Sequence, residues 1–197
     1  MPRRWQVMCA VAGTSVIFVG VISAVMLSDR IPNAGYLTRD PTQVARAPWW
    51  TGALSRFTDL CWAVASSVSV MAALGAHYVW RRVVFLFGIL CGVLALDDTF
   101  LVHEQATAVL GVPELLLLAV YGGAGLVLAW WFKPLWRTPV GAAFFVGAAM
   151  LAVSVAVDAL TRGQFLLEDG SKFVGVLAWC FCGAWAYKDL SSQSWSE

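Results

Sequence analysis

Apolar runs of about 20 residues recur along the whole of this 197-residue chain, and they constrain its fold more than any other feature. A helix needs about 20 apolar residues to cross a hydrocarbon core about 30 Å thick. Hydrophobic residues make up 60% of the chain and charged residues only 13%, which is too little charge for a soluble domain. The sequence predicts six membrane-spanning helices, at about 6–27, 58–80, 83–104, 113–132, 139–160 and 170–187.

The predicted fold class is therefore all-α, a polytopic membrane protein. We expect a single domain over residues 1–197, built as a bundle of six transmembrane helices. The one long connection, residues 28–57, contains three prolines and is predicted to be an extracytoplasmic loop. The first apolar run is about 21 residues long, which exceeds the hydrophobic region of a typical signal peptide. We therefore expect this run to be retained as a helix.

Basic residues near the helix ends set the expected orientation, since they favour the cytoplasmic side of a membrane. In the six-helix arrangement one side carries Arg3, Arg4, Arg81, Arg82, Lys133, Arg137 and Lys188. Both termini are accordingly predicted to be cytoplasmic, in the plasma (inner) membrane. Ten of the twelve acidic residues fall in the opposite half or beyond it. Acidic residues contribute little to orientation, so this bias needs another explanation, and a function on the extracytoplasmic side is one.

The stretch LALDDTFLVHE, residues 94–104, places two adjacent aspartates in an apolar run. A charge at the bilayer centre costs about 2.5–3.5 kcal/mol on insertion scales, so Asp97 and Asp98 need a partner or a proton. Asp97 lies 15 residues beyond Arg82, and Lys172 lies 15 residues before Tyr187. At about 1.5 Å of helical rise per residue, the aspartates and the lysine reach the same depth. We expect Lys172 to contact one of the two aspartates.

Other polar residues are assigned by the same depth argument. Two serines of the second predicted helix lie in this layer, so the predicted ion or proton site comprises Asp97, Asp98, Lys172, Ser66 and Ser67. A rim around it is predicted at Asp158 and Asp169. By contrast, Glu114 follows a proline and is interpreted as a residue of a helix N-terminus. Asp59 is interpreted in the same way, as a capping residue or part of a local ion pair, and not as part of the site.

Three classes of function fit this pattern, and cation- or proton-linked transport is the first. A second is metal-dependent hydrolysis of a lipid, in which a zinc or other divalent ion activates water. Its candidate ligands are Asp97, Asp98, His103, Glu104 and Glu168. The third class is an accessory or solute-binding subunit of a larger membrane complex. The expected partners are the lipid bilayer and a homo-oligomer or such a complex, with no nucleic acid.

Two motifs carry a family resemblance. The segments LDDTFLVHE and LEDGSKFVG look similar to uncharacterised bacterial six-helix membrane proteins, over the region from the third to the sixth predicted helix. This resemblance implies a six-helix fold and a shared polar site, with no established activity. The serine and Asp–His helices also resemble, faintly, the alkaline ceramidase and adiponectin-receptor superfamily. That superfamily is expected to bind zinc through three histidines, whereas this chain has only His77 and His103.

Overall fold

The computed structural model describes residues 45–48, 51–75, 78–103, 105, 111–160 and 164–193. The chain divides into two compact units, Met1–Thr51 and Gly52–Glu197. In the first unit the described residues include a turn, in which the Thr51 backbone N–H donates a hydrogen bond to the Pro48 carbonyl at 3.0 Å. The predicted helix at 6–27 and most of the predicted loop at 28–57 lie outside the described residues.

All helices of the described residues belong to the second unit. They are α1 (Ala53–Gly75), α2 (Tyr78–Phe100), α3 (Glu114–Phe132), a 3-10 helix (Lys133–Leu135), α4 (Pro139–Leu160) and α5 (Phe165–Gln193). No β-strand occurs in these ranges. The prediction of an all-α fold is therefore confirmed for the described part of the chain.

Local sequence explains where two of these helices begin. Pro113 precedes the first residue of α3, and Glu114 places a carboxylate in the first turn, where the helix dipole favours negative charge. Before α4, the Thr138 hydroxyl accepts a hydrogen bond of 3.2 Å from the Gly141 backbone N–H. Pro139 then occupies the first helical position, where its missing N–H costs nothing. The start of α4 thus follows the N-cap preference for threonine, whereas the N-cap residue of α3 is Pro113 and makes no side-chain capping hydrogen bond.

Four of the helical segments are long and apolar enough to cross a membrane. They are Ala53–Gly75, Trp80–Phe100, Glu114–Leu135 and Pro139–Leu160. Helix α5 is longer but carries Glu168, Asp169 and Lys172 near its start and Lys188 and Asp189 near its end. The described helices are thus compatible with a protein that crosses a membrane several times. The number of six spans and the cytoplasmic position of both termini stay predictions.

The first two helices of the second unit begin about five residues earlier than predicted. Helix α1 ends at Gly75 and α2 begins at Tyr78, whereas the predicted spans were 58–80 and 83–104. The error came from reading Arg81 and Arg82 as the connection between helices. Both arginines lie in the first turns of α2. Basic residues near the end of a membrane helix need not mark a break in the helix.

Small residues allow the helices to pack closely around α5. Helix α5 packs against α1 and α4, and α1 also packs against α2. A Cβ atom on Gly175 would lie 3.0 Å from the Gly147 carbonyl oxygen, and one on Gly183 would lie 2.6 Å from the Ser69 hydroxyl. Gly175 and Gly183 therefore mark two places where α5 approaches its neighbours closely.

A cluster of aromatic rings forms the centre of the core. Phe87 lies 5.8 Å from Phe132, 5.7 Å from Phe144 and 5.1 Å from Trp179, measured between ring centroids. The Trp179 indole N–H donates a hydrogen bond of 2.9 Å to the Phe144 carbonyl. Such edge-to-face pairs add about 0.5–1.5 kcal/mol beyond the burial of their area. The cluster joins α2, α3, α4 and α5.

Helix α3 is attached to the others mainly by its C-terminal end. Its buried residues are Leu128 and Phe132, and the second of these belongs to the aromatic cluster. Nearer its start, α3 is more exposed and forms one wall of a cavity. The fold therefore holds the bundle together at one end and leaves space between the helices at the other.

Candidate functional site

Asp97 is a buried carboxylate that two elements of the fold hold in place. After α2 ends, Leu101 adopts a positive φ of 51°, a conformation that L side chains rarely adopt. The chain then turns back, so that the His103 backbone N–H donates to Asp97 Oδ1 at 3.0 Å and His103 Nδ1 lies 2.5 Å from Asp97 Oδ2. Tyr121, on α3, donates its hydroxyl to Oδ1 at 3.0 Å. Both carboxylate oxygens of Asp97 therefore have hydrogen-bond partners, and the carboxylate orients the His103 ring.

Asp98 has a different partner from its neighbour. The Lys172 ammonium, on α5, donates a hydrogen bond of 2.8 Å to Asp98 Oδ1. The expected contact between Lys172 and one of the two aspartates is therefore present. The side chains retain 27% and 11% of their exposure respectively, so water screens this ion pair only in part. The two adjacent aspartates point about 100° apart on the helix, which explains their separate partners.

Asp59, on α1, joins the same group. Its carboxylate lies close enough to Asp98 and Lys172 for the charges of both to act on it. Asp59 Oδ1 and Asp98 Oδ2 are both buried, and neither has a hydrogen-bond partner within the described ranges. Two carboxylates side by side repel unless a cation or a proton lies between them. We refer to Asp59, Asp98 and Lys172 together as the acid–lysine group.

The sequence had assigned Asp59 to helix capping, so this member of the group was missed. The structure places the predicted serines elsewhere. The Ser66 hydroxyl donates a hydrogen bond of 2.8 Å to the Gly88 carbonyl, and its oxygen would lie 2.9 Å from a Cβ atom on Gly92. Ser67 is exposed on α1. Ser66 therefore serves the packing of α1 on α2, and the structure does not bring its hydroxyl to the carboxylates.

A cavity of about 620 Å³ opens beside these groups and is lined by all five described helices. Its polar lining consists of Asp97, Asp98, His103, Glu114, Tyr121, Ser154, Asp158, Glu168 and Lys172. These residues lie at the end of the bundle where α2 and α4 finish and where α3 and α5 begin. The remaining lining is apolar and extends towards Trp62 and Trp179. The cavity is thus polar at one end and apolar along the rest.

Several predicted rim and metal residues have defined positions. Asp158 and Glu168 line the cavity, and both Glu168 and Asp169 contribute to the field at Lys172. Glu104 lies outside the described residues. Among those that the structure describes, no three His, Cys, Asp or Glu side chains are placed to hold one metal ion. The predicted metal site therefore stays a prediction.

Comparison with known proteins gives a family for this chain. A family model described as "Domain of unknown function (DUF8692)" matches residues 8–186, and the chain belongs to this family. Neither the curated proteins nor the solved structures gave a match.

Proposed function

We propose that this member of the DUF8692 family is an integral protein of the plasma (inner) membrane that carries out proton- or cation-linked transport. The observation that carries the proposal is the acid–lysine group, in which Asp98 and Lys172 form an ion pair in the cavity lining and act electrostatically on the nearby Asp59 carboxylate. Ionisable side chains within a membrane are costly, and they typically mark proton relays or ion pathways. A packing role alone gives no reason for two neighbouring acids.

The charge balance of the group supports a proton-linked step. With all three side chains ionised, Asp59, Asp98 and Lys172 carry a net negative charge in a medium of low dielectric constant. One proton shared by the Asp59 and Asp98 carboxylates neutralises the group. Asp59 Oδ1 and Asp98 Oδ2 each lack a hydrogen-bond donor among the described residues, so each can take up such a proton. A cation arriving from the cavity neutralises the same carboxylates. Exchange of a proton for a cation is therefore the elementary step of the proposal.

The proposed orientation places the polar end of the cavity on the extracytoplasmic side. Basic residues at the opposite end of the described helices support it, because such residues favour the cytoplasm. They are Arg81, Arg82, Lys133, Arg137 and Lys188. The aromatic cluster lies between that end and the cavity, so transport requires the helices to separate there, and alternating access supplies such a movement.

The test is proton movement in liposomes that contain the purified protein and an internal pH-sensitive dye. We expect protein-dependent proton flux under an imposed pH gradient or membrane potential, with or without a cation on the opposite side. Asp98→Asn should abolish this flux, because it removes the carboxylate that pairs with Lys172 and acts electrostatically on Asp59. Asp189→Asn, at the far end of α5, is the charge-matched control. No protein-dependent flux under any of these gradients would refute the proposal.

One observation favours the second candidate, a metal-dependent lipid hydrolase. Asp97 fixes the ring of His103 through Nδ1, the carboxylate–histidine arrangement that often orients a metal ligand or a general base. This candidate predicts about one transition metal per chain, lost in the double variant Asp97→Asn with Asp98→Asn. Mass spectrometry of the purified protein measures it. A metal-free wild-type protein would remove the hydrolase from consideration.

A further inference from the structure

The cavity combines two surfaces that call for one amphipathic occupant. Its polar end carries five carboxylates against one lysine and one histidine. Lys172 is paired with Asp98 and His103 with Asp97, and Glu114 and Asp158 add two further carboxylates to the lining. Among the described lining residues, negative charge therefore predominates at the polar end. This end favours a positively charged group and disfavours an anion.

The rest of the cavity is an apolar trough between α3, α4 and α5. Leu118 and Leu126 form part of its wall on α3, and Leu151 faces it from α4. Glycines at positions 122 and 125 also line it. A volume of about 620 Å³ is in the range of pockets that enclose small organic molecules. An inorganic cation would leave this trough empty.

The two glycines of the trough have no packing role in the described part of the chain. A Cβ atom on Gly122 or Gly125 would meet no atom within 4 Å, unlike Gly147 and Gly175, where α4 and α5 approach closely. Glycine inside a helix disfavours folding relative to alanine. Within the described helices, Gly122 and Gly125 bring no neighbour closer, and their missing side chains widen the cavity that they line.

We propose that the cavity binds an organic cation in which an ammonium group is attached to an apolar body. The ammonium lies among the carboxylates of the polar end, near Glu114 and Asp158, and the apolar body lies in the trough. This inference deepens the proposed function and rests on it, since it names the substrate class of the same site. The ammonium can belong to a soluble solute or to the headgroup of a lipid.

The test uses benzyltrimethylammonium as the probe and the full chain in nanodiscs of phosphatidylglycerol, a lipid without an ammonium group. Isothermal titration calorimetry, corrected with empty nanodiscs, measures binding. We expect saturable binding with one site per chain. Phenylmethanesulfonate has the same benzyl group with the opposite charge, and N,N-dimethylbenzamide is neutral. Both should bind at least about tenfold more weakly, since either loses the charge interaction.

Two neighbouring positions on α3 provide a matched pair of variants. Gly125→Leu fills the trough without a predicted clash and should weaken binding by about tenfold or more. Gly123→Leu is the control, because Gly123 has equally open space around it but does not line the cavity. Glu114→Gln should weaken binding of the cation by about fivefold and leave the neutral analogue unchanged. Equal effects of the two leucine variants would overturn the proposal.

Two separate measurements identify the source of the ammonium group and test the proposed transport function. If phosphatidylethanolamine added to the nanodisc competes with the probe, the site takes a lipid headgroup. If it does not compete, the ligand is a soluble cation. Cation binding without proton flux in liposomes would keep this inference and refute transport. Proton flux without cation binding would refute the ligand class alone.

Discussion

Replacing Lys172 by methionine tests whether the acid–lysine group behaves as one unit. Removing one partner of a fully buried ion pair costs about 3–5 kcal/mol, because the other charge is left uncompensated. Lys172 and Asp98 keep 27% and 11% of their side-chain exposure, so water screens part of this charge. We therefore expect Lys172→Met to lower the free energy of unfolding by about 2–3 kcal/mol.

The double variant Lys172→Met with Asp98→Asn separates electrostatics from packing. With an amide in place of the Asp98 carboxylate, Asp59 has no charged neighbour in the group and can exchange a hydrogen bond with that amide. The double variant should recover about half of the lost stability or more. This result corresponds to a coupling energy of about 1–2 kcal/mol between residues 172 and 98.

Unfolding in sodium dodecyl sulfate measures these changes, with the fluorescence of the chain's 11 tryptophans as the signal. Lys133→Met is the matched control, because Lys133 is exposed and its ammonium lies over the Trp130 ring, 5.2 Å from the centroid, away from the carboxylates. It should change stability by at most about 1 kcal/mol. Additive effects of the two single variants, within about 0.5 kcal/mol, would refute the idea of a linked group.

Two further predictions use the same unfolding assay. Tyr121→Phe removes one of three donors to Asp97 and should cost about 0.5–1.5 kcal/mol; no change would mean that water replaces the phenol. Gly175→Leu should cost more than about 2 kcal/mol or prevent folding, because a Cβ atom there already lies 3.0 Å from the Gly147 carbonyl oxygen. Unchanged stability of that variant would contradict the close packing of α4 on α5.

The sequence was sufficient for the pairing of Lys172 with an aspartate because that pairing depends on depth alone. Asp98 and Lys172 are each about four turns from Arg82 and Tyr187, the residues that the sequence places near the cytoplasmic surface, and helical rise is nearly constant. Their helices need only be neighbours for the charges to meet. Which aspartate pairs with the lysine was beyond the sequence, because it depends on the rotation of α2. The turn at Leu101 brings His103 back to Asp97, and His103 and Tyr121 both donate hydrogen bonds to its carboxylate. Asp98 is therefore the aspartate that pairs with Lys172.

Asp59 was missed because the register of two antiparallel helices depends on where the chain turns. Placing the turn at Arg81–Arg82 pairs Asp97 with Ser66, whereas the structure places Ser66 beside Gly88 and Gly92. Facing residues of two antiparallel helices lie equally far from the turn between them. Moving the turn by about four residues therefore changes the α1 partner of a given α2 residue by about eight. The same shift brings Asp59 to the level of Asp98. An acid assigned to a helix cap thereby becomes the second carboxylate of the site, and the prediction of a proton between two acids depends on this register.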